Sequence, residues 1–139
     1  MKKLIMLAII ALALISCGTS ATITEIQQPK LDPETKSAIL SALEEQLTEE
    51  LGTPIKYESS EVIKIKKSYY LRAYSNKYAT TTLLGVNDSG ALFNLKVSCT
   101  SSSCAQSTTQ CVPKFVGNIP TCTPCKLGTK DCKRSISSQ

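Results

Sequence analysis

Hydrophobic residues change their spacing several times along the chain, and each change marks an element. Leu4 to Ile15 is an unbroken apolar run behind Lys2 and Lys3. Gly18 to Leu31 is polar with scattered Ile and no sustained period, which reads as a tether. Leu40, Leu43, Leu47 and Leu51, with Ala38, Ile39 and Ala42 beside them, recur at helical spacing. Asp32 suits an N-cap, Pro33 needs no N–H at the first helical position, Gly52 can take a left-handed C-cap, and Pro54 follows. A helix is therefore predicted over 33–51, with the Leu stripe as core and Glu44, Glu45, Glu49 and Glu50 as its solvated side.

From Ile55 the period becomes two. Val62 to Lys66, Tyr70 to Tyr74, Tyr78 to Val86 and Ala91 to Cys99 alternate or are rich in β-branched residues, and Asn87-Asp88-Ser89-Gly90 is a turn. The fold class that follows is α+β: one N-terminal helix packed on a three- to four-stranded antiparallel sheet. A disulfide-rich, loop-rich C-terminal segment completes the chain. The element order is similar to that of cystatin-like small α+β folds, which host unrelated functions.

The apolar run at the start is too short to span a bilayer, which takes about 20 residues, and its basic lead-in matches an export signal. Leu14-Ile15-Ser16-Cys17 resembles the lipobox of bacterial lipoproteins. The resemblance implies a signal peptide over 1–16 and a lipidated Cys17 that becomes the new N-terminus. It also implies two or three acyl chains on that residue, palmitate among them. At about 0.8 kcal/mol per buried CH₂, two chains give stable anchoring. In such lipoproteins an Asp after the Cys marks inner-membrane retention; Gly18 stands here, which implies the outer membrane of a bacterial cell envelope. The tether, 17–31, reaches about 45 Å when stretched. The organisation expected is thus signal 1–16, lipidated Cys and tether 17–31, helix plus sheet 32–98, and cysteine-rich segment 99–139.

Cysteine arithmetic agrees with that expectation. The 139 residues hold 7 Cys, and setting Cys17 aside leaves an even set: Cys99, Cys104, Cys111, Cys122, Cys125 and Cys132. Thirteen Ser or Thr lie among residues 100–139, so this segment lacks the apolar surface to offset its ordering entropy unless it is cross-linked. In an oxidising compartment structural disulfides are the favoured reading, and spacing does not choose the pairing. Two sharper alternatives use Cys122-Thr123-Pro124-Cys125. One is a zinc knuckle, for which a second two-residue knuckle is missing. The other is a redox pair resembling that of thioredoxin, for which no helix follows. No metal or cofactor is expected. With no His in the chain, Ser–His and Cys–His nucleophilic sites are excluded, and no catalytic constellation stands out.

Charge changes the picture once more. The chain carries a formal +5, and five of its acids fall on the helix. If Ile63, Ile65, Leu71, Ala73, Phe93, Leu95 and Val97 point at the helix, alternation sends Lys64, Lys66, Tyr70, Arg72, Tyr74, Asn94 and Lys96 to the opposite face. The cations and phenols of that set form a candidate binding face for an anionic glycan, a lipid phosphate or an envelope protein, with nucleic acid disfavoured. The bland reading is a solvated face, or one the cysteine-rich end covers. The function expected is a non-enzymatic, lipid-anchored envelope module stapled by disulfides. The alternatives are a thiol–disulfide exchanger using Cys122 and Cys125, and an inhibitor-type protein that blocks a partner enzyme.

Overall fold

Asp32 opens a helix as the spacing predicts: its carboxylate accepts a hydrogen bond from the Thr35 amide at 2.8 Å, with Pro33 next in line. Helix α1 runs Pro33–Leu51 and ends on Gly52 at φ 64°. A computed structural model describes residues 28–126 and 131–137 of the chain. The expected signal peptide 1–16, the lipidation site Cys17 and most of the tether lie outside those residues.

Among the described residues seven strands follow the helix: β1 (Ser59–Ile65), β2 (Ser68–Tyr74), β3 (Ala79–Val86), β4 (Leu92–Ser101), β5 (Pro113–Val116), β6 (Ile119–Cys122) and β7 (Lys133–Ile136). Five of them form one antiparallel sheet in the order β1-β2-β3-β4-β7, and β5 and β6 make a separate hairpin. The expected three to four strands become five because Lys133–Ile136, inside the cysteine-rich segment, pairs with the last half of β4. Cys99 itself lies within β4.

The helix covers one side of the sheet. Ile39 and Leu43 pack there against Leu71, Leu84 and Leu92, with Tyr57 and Tyr69 at the margin. Leu31 joins the same cluster, and Lys30 forms a parallel bridge with Ala91, so the end of the segment read as a tether is docked on the sheet. Further along this side the interface turns polar but satisfied. Tyr57 donates to Thr80, Thr80 is bonded to Thr100, Thr82 to Ser98, and Ser135 donates to Glu50 of the helix.

Register decides what lies on the other side. Ile63 pairs with Tyr70 and Glu61 with Arg72, because the turn at Lys66–Lys67 matches odd positions of β1 to even positions of β2. Ile63 and Ile65 therefore share a face with Tyr70 and Arg72, opposite the one that Leu71 and Ala73 present to the helix. The middle of that second face is also buried: Tyr70 and Leu83 pack under Val112, with Ile63 and Ile65 half-buried at the edge, while Phe93 and Leu95 at the start of β4 stay exposed. The sheet is sandwiched, the helix on one side and the cysteine-rich segment on the other.

Candidate functional site

Three disulfides hold the second layer in place: Cys99–Cys122, Cys104–Cys125 and Cys111–Cys132. Their sequence separations are 23, 21 and 21, so the stretch carrying the first three cysteines is laid once, in order, along the stretch carrying the last three. All six sulfurs belong to one packed cluster. Cys122 and Cys125 are not bonded to each other, so the pairing that a redox motif at Cys122-Thr123-Pro124-Cys125 presupposes is absent. The sulfurs of Cys99, Cys122 and Cys132 lie within 4.8 Å of one another because two bridges sit side by side, and every one of them is committed to a bond.

Polar chemistry completes the staple. Asp131, next to Cys132, turns one carboxylate oxygen toward the loop after β4, accepting from the Ser102 amide at 2.9 Å, the Ser101 and Ser102 hydroxyls at 3.0 Å, and the Ser103 amide. Burial opposes its ionisation, but the hydrogen bonds from Ser103, Ser102 and Ser101 outweigh it and hold the carboxyl well below its ordinary value. From beneath, Arg72 is 1% exposed and donates to Thr81 Oγ1 at 2.6 Å and to the backbone oxygens of Ala105 and Gln110 at 3.3 and 3.4 Å. Burial lowers its pKa, against the pull of Tyr74 and Glu61. A guanidinium has several donors in a fixed fork, and here that fork fastens the 104–111 loop to the sheet.

The expected binding face is thereby divided. Tyr70 is 6% exposed and lies under Val112. Arg72 serves the loop, and Tyr74 donates to Glu61, a carboxylate on the same face. Lys64 lies toward the helix side, 5.1 Å from the centre of the Tyr69 ring. Lys66 stands in the β1–β2 turn at φ 56°. Lys96, at φ 62° in a bulged stretch of β4, lines a cleft beside the helix with Asn94. The seven residues share no single surface, because the register of β1 and of β4 against their neighbours is opposite to the one that simple alternation predicts.

Two exposed features replace that face. One is the cleft of about 830 Å³ between α1 and the β4–β7 edge, with Ala38 and Ala42 on the helix flank, Glu45, Glu49 and Glu50 along it, and Asn94, Lys96 and Ser137 opposite. Ser137 donates to Gln46 and Ser135 to Glu50, which joins the helix to β7. The second is the β5–β6 hairpin, which packs over β3, β4 and β7. Its turn is Gly117–Asn118, with Gly117 at φ 61°, the left-handed value that a two-residue hairpin with Gly first requires. Phe115, Val116 and Ile119 around that turn are 51%, 58% and 62% exposed. The Gly-Asn dipeptide between apolar residues was the signal for this hairpin in a segment read as loops.

Compared with protein-family models, curated proteins and solved structures, the chain matches none.

Proposed function

We propose that this chain is a lipid-anchored bacterial envelope protein, tethered through Cys17, that presents a disulfide-stapled binding surface rather than catalysing a reaction. The observation that carries the reading is the complete, mutually exclusive use of the six C-terminal cysteines in three bridges. Disulfides persist outside the reducing cytosol, which supports an oxidising compartment for a chain built around them. One cysteine is left over, and it is the one that ends the lipobox-like Leu14-Ile15-Ser16-Cys17. Gly18 after it supports an outer-membrane destination. The clustered groups around the bridges, Asp131 and Arg72 above all, are engaged in holding loops rather than turned toward a cavity, which supports a structural or binding role for this layer.

Cell fractionation tests the reading. The native chain is expected in the membrane fraction, released by detergent and not by high salt. Cys17→Ser is expected in the soluble envelope fraction or unprocessed with its signal attached. A Cys17→Ser chain that is processed and still sediments with membranes as the native chain does would overturn the anchoring.

A further inference from the structure

The two sides of the sandwich differ in charge. Glu34, Glu45, Glu49 and Glu50 lie on the helix side, whereas on the cysteine-rich side Glu61 of β1 accepts from Tyr74, and from Cys111 onward Asp131 is the one acidic residue, with the seryl groups of the 101–103 loop occupying it. On the cysteine-rich side Lys114 and Arg134 are exposed at the base of the β5–β6 hairpin, and Arg134 Nη1 donates to the Pro120 backbone oxygen, which sets the cation against β6. Beyond them come Phe115, Val116 and Ile119, each more than half exposed. Ile136, on β7 and 52% exposed, adds to the same side; its cross-strand partner Val97 is buried.

An apolar tip flanked at its base by two cations, Lys114 and Arg134, has the chemistry of an interfacial contact: apolar side chains enter the boundary between headgroups and acyl chains, and Lys and Arg meet the phosphates. We propose that the β5–β6 tip is a lipid-contacting surface, with Phe115, Val116 and Ile119 seated in an anionic phospholipid layer and Lys114 and Arg134 against its headgroups. The inference rests on the anchored reading for its setting. Three side chains and two cations give a weak contact in free solution. A tether of a few tens of ångströms keeps the hairpin at high local concentration at the membrane, where a weak contact suffices to fix orientation. The acidic helix and its cleft then face away from the lipid, toward partners.

The chain has no Trp, so a single introduced indole reports its own position. Val116→Trp and, separately, Glu49→Trp are made in the full chain, extracted with the native N-terminus, and reconstituted in phosphatidylcholine–phosphatidylglycerol vesicles with brominated acyl chains. Quenching and a blue shift are expected for Val116→Trp and absent for Glu49→Trp; Ile119→Trp should behave as Val116→Trp does. Equal emission from the two sides would overturn the inference. A Cys17→Ser background, taken in its processed form and added to the same vesicles without any anchor, separates this result from the anchoring itself. There, charge reversal in Lys114→Glu/Arg134→Glu should weaken vesicle binding by about thirtyfold or more, and binding unaffected by either the reversal or Phe115→Ser/Val116→Ser also overturns it. If the membrane-extracted chain carries no acyl group, the anchored reading fails while this last comparison still decides the hairpin.

Discussion

Asp131 shows how much one side chain can hold in a segment with little apolar surface. Its oxygen gathers the donors of the 101–103 loop, and hydrogen bonds to a charged acceptor contribute about 1.5–3 kcal/mol. Asp131→Ala is expected to cost about that much in chemical denaturation at neutral pH. The folded state binds this proton less tightly than the unfolded chain, so the contribution is in full force above the ordinary value of 3.8 and declines as pH falls below it. The Asp131→Ala penalty should therefore shrink in acid, and a penalty constant down to strongly acidic pH would contradict the assignment. Tyr57 works in the opposite sense. Burial, with Glu44 adding to it and the Thr80 hydrogen bond opposing, pushes its phenol from 10.0 up to about 12. Stability is then lost as pH rises between those values, and Tyr57→Phe should remove that alkaline limb, as followed by thermal melts across the range. None of this was legible in the sequence, where Asp131 was one acid among Lys and Cys and Tyr57 preceded the first strand.

At the level of elements, the helix was the most legible part, since cap, first-turn Pro, Leu stripe and terminal Gly all agreed. Strand positions were legible as well, but their faces were not. Alternation gives two faces within a strand and leaves open which face of its neighbour each one joins; the turn at Lys66–Lys67 decides that, and neither residue signals a turn type. The second difficulty is that both faces carry packed apolar side chains, so Ile63 and Leu71 are equally apolar while pointing in opposite directions. Arg72 is the clearest consequence. Read as a surface cation, it lies under the 104–111 loop as its fastener. Arg72→Ala is expected to destabilise by about 3 kcal/mol through lost hydrogen bonds and a cavity, and to raise amide exchange across residues 104–111 well beyond that in α1. Uniform exchange changes would show that Arg72 acts on the whole fold rather than on that loop.

Across the whole molecule, covalent ties stand in for the apolar core that the second layer lacks. Each bridge closes a loop of just over 20 residues, for which loop closure contributes about 3 kcal/mol. Since the loops interlock, reduction should release the cysteine-rich layer together with β7 and uncover Tyr70, Leu83 and Arg72. Near-UV dichroism and dye binding should then report a loosened sheet while the helix signal falls less. The evenness of the cysteine set without Cys17 was visible from the start, whereas the pairing was not, because it depends on which loop crosses the sheet first.

The most direct test is the intact mass of the native protein from membranes, followed by non-reducing peptide mapping. The account predicts a chain beginning at Cys17 with an acyl adduct on that residue. It also predicts a mass lower by six hydrogens for the three bridges, and linked peptides joining Cys99 to Cys122, Cys104 to Cys125 and Cys111 to Cys132. An unacylated chain, or one with free thiols at those six positions while still folded, would contradict it.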